Sequence, residues 1–160
     1  MTTIGVLFDT HGNYGAIEKV MPILETCDLV FHLGDRFTDM QNYSSLLKDK
    51  LICVKGNCDF ESEEGVRFVE VEGKKLMLTH GHLFGVKYSM TKLSLYAKEN
   101  GADAVFFGHT HSAFCEEADG ILYVNPGAFA RTKAEKSFAY VNVVGGKILC
   151  KINRSALASM

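Results

Sequence analysis

Residues 3–13 read Thr3-Ile4-Gly5-Val6-Leu7-Phe8-Asp9-Thr10-His11-Gly12-Asn13. The run from Thr3 to Phe8 is short and mostly apolar, the signature of a buried strand rather than an amphipathic helix. It empties abruptly into a polar loop that begins with Asp9 and carries His11 two residues later. The same punctuation recurs along the chain. Asp28 to Leu33 ends in Gly34-Asp35, and Leu51 to Val54 ends in Gly56-Asn57-Cys58-Asp59. Lys75 to Thr79 runs into His80-Gly81-His82, and Ala104 to Phe107 into Gly108-His109-Thr110-His111. Each apolar run therefore delivers its polar residues at the C-terminal end of an expected strand. In open α/β sheets that edge is where ligands bind.

Working outward, Ile17, Val20, Met21 and Leu24 recur at helical spacing after Asn13, a candidate N-cap. Pro22 lies inside that pattern, so a kink or a restart is expected there. Tyr43, Leu46 and Leu47 suggest a short helix. Glu72-Gly73 separates two β-type runs, Arg67 to Val71 and Lys75 to Thr79, as a hairpin. Val86, Met90, Leu93 and Ala97 mark a further helix closed by Asn100-Gly101. Asp119-Gly120 and Gly145-Gly146 are two-residue turn signals between β-type runs. The fold class is thus α/β, with two facing sheets and helices outside them. No internal repeat or low-complexity linker interrupts the pattern, so residues 1–160 are read as a single domain.

Composition limits the function. The 160 residues carry 17 Lys plus Arg against 19 Asp plus Glu, a net charge of -2. With a pI near 6.3 there is no global basic field, which argues against non-specific nucleic-acid binding. The longest apolar stretches are far too short to span a bilayer, so no membrane partner is expected. The N-terminus shows no positively charged leader, and a cytoplasmic location follows as an expectation. Five cysteines, an odd number without a C-x-x-C pair, read as free thiols. Of these, Cys27, Cys53, Cys115 and Cys150 are taken as small apolar fillers.

Seven residues stand at the strand ends with ligand chemistry: Asp9, His11, Asp35, Asn57, His80, His109 and His111. Two carboxylates, four imidazoles and an amide oxygen suit Mn, Fe, Zn, Co or Ni better than a thiolate zinc site. Seven ligands exceed one tetrahedral ion. They fit two ions roughly 3.5–4 Å apart sharing a bridging carboxylate. Such a centre carries about one net positive charge, so an anionic phosphate diester would be drawn in and a bridging hydroxide would attack phosphorus in line.

In order along the chain, the blocks Asp9-Thr-His11-Gly-Asn13, Gly34-Asp35, Gly56-Asn57-Cys58-Asp59, His80-Gly81-His82 and Gly108-His109-Thr110-His111 resemble the calcineurin-like metallophosphoesterases. Asn125-Pro126-Gly127 matches that superfamily's small prokaryotic phosphodiesterase subgroup. The resemblance covers nearly the whole chain. It implies a four-layer α/β/β/α sandwich of two mixed sheets flanked by helices, and a phosphodiesterase acting on small phosphate esters. It also implies a ligand set. Asp9, His11, Asp35 and His111 would hold one divalent ion, foremost Mn. Asp35, Asn57, His80 and His109 would hold the other, with Asp35 bridging. Members of the subgroup often form homo-oligomers, although no interface signature is legible here. Two rival readings come with the resemblance. One is a non-catalytic scaffold, since a eukaryotic retromer subunit has a similar fold, but all seven ligand positions are filled here. The other is a nuclease, which usually needs added domains and a basic groove.

Candidate catalytic positions beyond the ligands are Asn57, Cys58 and His82. Many members of the family place a His after the metal-binding Asn; here that position is Cys58. Arg36 follows the bridging Asp, where an apolar residue is more usual, and Ala128 follows Asn-Pro-Gly, where Ser is frequent. His82 has two readings, orienting a substrate phosphate or bracing His80. For Arg36 an ion pair with Asp39 or another carboxylate is favoured over a phosphate clamp. His32, inside its strand, is expected to be a structural histidine with a local partner.

Overall fold

The computed structural model describes residues 1–8, 14–34, 47–54, 65–110, 112–127 and 137–154. Among the described residues, ten strands build two five-stranded sheets. The first contains β1 (Thr2–Leu7), β2 (Leu29–His32), β3 (Leu51–Cys53), β9 (Phe138–Val144) and β10 (Lys147–Asn153), in the order β10-β9-β1-β2-β3. The second contains β4 (Val66–Val71), β5 (Lys74–Thr79), β6 (Ala104–Phe106), β7 (Phe114–Ala118) and β8 (Ile121–Asn125), in the order β4-β5-β6-β8-β7. Both sheets are mixed. β1, β2 and β3 run parallel, as do β5, β6 and β8, while the remaining pairings are antiparallel.

The alternation within each strand explains the layers. Ile4, Val6 and Phe8 of the first sheet meet Leu76, Leu78, Ala104 and Phe106 of the second in a central core. Leu7 and Val30 point the other way, beneath Ile17, Val20 and Leu24 of helix α1 (Tyr14–Thr26). Met77, Val105 and Phe107 likewise lie beneath Leu93 and Ala97 of helix α2 (Thr91–Glu99). The central strands are therefore buried on both faces, which is why they read as near-continuous apolar runs. The result is the expected helix–sheet–sheet–helix stack. Close approach of α1 needs the glycine in β1: a Cβ on Gly5 would stand 2.6 Å from Leu24 Cδ2. The entry to β1 is tied to β2 by the Asp28 carboxylate, which accepts the Thr3 N–H at 2.8 Å. That bond holds the Asp28 pKa below its ordinary value.

Two expectations are corrected. Helix α1 does not restart at Pro22, an exposed residue inside a continuous helix. The proline lacks an N–H for the Glu18 carbonyl, but burial of Ile17, Val20, Met21 and Leu24 on the opposite face outweighs that loss. Helix α2 begins at Thr91, later than Val86 and Met90 suggested. A 3₁₀ turn over His82–Phe84 precedes it, and the Ser89 hydroxyl accepts the Thr91 N–H at 3.1 Å. Val86 and Met90 still pack on the same core from irregular backbone. Of the short helix expected around Tyr43 and Leu46, those two residues lie outside the described ones, as does Asn13. Leu47 is buried and leads into a 3₁₀ turn over Lys48–Lys50. No described helix is long and apolar enough to cross a membrane.

Candidate metal centre

β5 and β6 are parallel neighbours, with Leu78 beside Phe106. Their ends are stitched together beyond the ladder, because the Gly108 N–H donates to the His80 carbonyl at 2.9 Å. This brings two of the expected ligands side by side: the His80 and His109 ring centroids are 4.8 Å apart. His82 completes a triangle, 5.1 Å from His80 and 6.2 Å from His109. His80 is fully buried, and its Nδ1 lies 3.1 Å from Nδ1 of His82. One of those two nitrogens must carry the proton for the other to accept it.

His109 is held in an unusual backbone state. The Thr110 N–H donates back to the Gly108 carbonyl at 2.8 Å, and His109 between them has φ 68°. This is a γ-turn with a non-glycine centre, a conformation costing on the order of 1–3 kcal/mol that persists only when its surroundings enforce it. The enforcing group is Asn125, fully buried at the end of β8. Its Nδ2 donates to the Gly108 carbonyl at 3.3 Å and to Thr110 Oγ1 at 2.9 Å. Its Oδ1 accepts the Gly127 N–H at 3.0 Å. Sequence reading singled out Asn125-Pro126-Gly127 as a motif without giving Asn125 this bracing task.

The first sheet reaches the same place. Leu7, His32 and Cys53 form one row across β1, β2 and β3, so Asp9, Asp35 and Asn57 follow that row by two, three and four residues. Phe8 extends from the end of β1 to lie 6.1 Å, ring to ring, from His80. A Cβ on Gly108 would stand 2.5 Å from Phe8 Cδ2. Gly108→Ala should therefore destabilise the protein by about 1–3 kcal/mol, because the buried Phe8 ring cannot yield. A urea midpoint unchanged from wild type would show that the two strand ends are less tightly packed than this contact requires. His32 is fully buried, as expected of a structural histidine, and its Nδ1 accepts the Gly34 N–H at 3.2 Å.

Asp9, His11, Asp35, Asn57, Cys58 and His111 lie outside the described residues, as do Arg36 and Ala128. Among the described residues no group of three ligating side chains converges on one ion position. What the described part contributes is a neighbouring pair of imidazoles at the parallel strand ends, borderline donors that suit the expected divalent metals. A groove of about 620 Å³ between α1 and the β9–β10 hairpin is a different feature. It is lined by Pro22, Ile23, Tyr140 and Leu149 with no carboxylate or imidazole.

An α/β sandwich of two mixed sheets, with three histidines gathered where the parallel strands β5 and β6 end, defines the class of protein. The chain belongs to the calcineurin-like phosphoesterase superfamily, whose domain model matches residues 2–146. It is similar to the phosphodiesterase MJ0936 of Methanocaldococcus jannaschii, with 32% identity over 146 residues, covering 78% of this chain and 82% of that protein. Among solved structures it resembles a predicted phosphoesterase from Streptococcus pneumoniae TIGR4. There the TM-score is 0.80 at 29% identity, covering 94% of this chain and 88% of that one. Vps29 of Entamoeba histolytica, complexed with Zn2+, shares the fold at a TM-score of 0.74. Its identity is 19%, covering 94% of this chain and 98% of that one.

Proposed function

We propose that this phosphoesterase is a dinuclear metal-dependent phosphodiesterase of the cytoplasm, built as one domain over residues 1–160. The observation that carries the reading is the contact of Phe8 with both His80 and Gly108. It joins the end of β1, which Asp9 follows by two residues, to the His80 and His109 turns. Asp9, His11, Asp35 and His111 would hold one ion, and Asp35, Asn57, His80 and His109 the other. The similarity to a phosphodiesterase and the Zn2+ bound by a protein of the same fold support a metal-dependent phosphoesterase. When bound, the ions supply Lewis-acid stabilisation of the charge that develops on a phosphoryl group.

The chain's own residues then do the positioning. A His80 that donates its Nδ1–H to His82 Nδ1 would offer Nε2 as its metal donor, the usual division of labour for a ligating imidazole. Asn125 holds the His109 turn in its strained form before any ligand arrives, so the ordering cost is met by the fold. His82 therefore acts as a brace on His80 rather than as a phosphate contact.

Cys58 sets the leaving-group chemistry. An ordinary thiol, with a pKa near ~8.5, is a poor general acid at neutral pH. Without a donor, charge builds on the departing oxygen, and the rate depends steeply on that oxygen's basicity. Nitrophenyl diesters should turn over well and simple alkyl diesters slowly. Cys58→His should flatten the dependence, while Cys58→Ser keeps most activity on nitrophenyl esters. The experiment is a graded series of diesters with Mn present, on wild type and both variants. A flat series in wild type would assign the proton to another residue, and no turnover of any activated diester would overturn the enzyme reading.

A further inference from the structure

The four cysteines taken as apolar fillers are not equivalent. Cys27 is sealed under α1 with its Sγ directed to the Ile23 carbonyl at 3.4 Å, and burial pushes its pKa up to about 11. Such a thiol is inert. Cys115 and Cys150 are placed differently. β7 and β10 are edge strands of the two sheets, and they meet across the sandwich. Cys115 lies in β7 and Cys150 in β10, both packed against the core between the sheets and both only partly buried. Their side chains pack on the same core cluster where β7 meets β10, close enough for the Cys115 sulfur to act on the Cys150 thiol. Burial first, and the Cys115 sulfur second, hold the proton on Cys150 and raise its pKa.

We propose that Cys115 and Cys150 form an oxidant-dependent disulfide that staples the two sheets together at the open edge of the sandwich. The oxidant is a peroxide. The Cys115 sulfur attacks one peroxide oxygen, the O–O bond breaks, and water leaves with a sulfenic acid on Cys115. The Cys150 sulfur then displaces that hydroxyl as a second water, its thiol proton going to the departing oxygen. Two thiols and one hydrogen peroxide become one disulfide and two waters, with two electrons passing from sulfur to oxygen. Because Cys150 keeps its proton, it is the second thiol to react. The new bond closes a loop through β8 and β9 and ties together edge strands that otherwise share no ladder. In a reducing compartment such a bond is transient and is reopened by thiols.

The test is brief exposure of the full chain to hydrogen peroxide, quenching with an alkylating reagent, and peptide mapping without reductant. The expected product is a linked Cys115–Cys150 peptide from a monomer about 2 Da lighter. Its Tm should rise by about 5–10 °C, reversed by reductant, since a staple restricts the unfolded chain. Cys115→Ser and Cys150→Ser should each abolish the linked peptide and the shift, with circular dichroism confirming that they fold. Should Cys150→Ser not fold, Cys115→Ser alone decides the matter. Sulfinic acid on Cys115 without a cross-link, a cross-link through any other cysteine, or a Cys115–Cys150 bond that leaves Tm unchanged would each overturn the proposal. None of these readouts depends on hydrolysis.

Discussion

Asp35→Asn should lower hydrolysis of an activated diester about a thousandfold or more, the scale on which removal of a preorganised charge-stabilising group acts. As the proposed bridging carboxylate, Asp35 would help to hold both ions, so its replacement would remove a negative charge that both share. The informative control is His32→Ala, three residues upstream. His32 is fully buried, and its Nδ1 accepts the Gly34 N–H. Truncating it leaves a cavity and removes the partner of that N–H, costing about 2–4 kcal/mol of stability. Turnover of the folded fraction should change far less than in Asp35→Asn. Comparable loss in two folded variants would show that His32 belongs to the reacting centre.

Chelator should abolish hydrolysis, and Mn should restore it. Protein loaded with Mn and freed of excess should retain about two ions per chain, the number seven ligands with one shared carboxylate can hold. Elemental analysis reads this independently of turnover. A chain that retains no metal, or that hydrolyses equally well in chelator, would leave the fold to the scaffold reading. A single retained ion would overturn the shared role given to Asp35.

The legibility of this protein in its sequence has a physical basis. Strands such as β1 and β6 are buried on both faces, so they appear as short apolar runs, and polar side chains gather where the ladder ends and hydrogen-bond partners are at hand. That is why His80 and His109 could be placed at strand ends by inspection. Helical spacing was less reliable. Val86 and Met90 fit the period of α2 yet belong to the turn before it, because spacing reports which residues face a core and not which backbone carries them there. Pro22 did not bring the restart that was one of its two expected effects, since the local loss of one hydrogen bond is small beside the burial of the helix's other face.

The amino-acid sequence by itself determined the α/β class, the positions of the turns at Glu72-Gly73 and Asp119-Gly120, and the strand-end location of the polar blocks. These are local properties, set by apolar period and by the backbone freedom of a few residues. Only the tertiary structure decided which distant segments meet. β8 inserts between β6 and β7, and so Asn125 reaches back to hold the strained turn at His109. β9 and β10 extend the first sheet beside β1, and so Cys150 arrives at Cys115. Hydrogen bonds and thiol contacts between residues far apart in the chain depend on strand order, and strand order follows from burying every apolar face at once rather than from any one stretch of sequence.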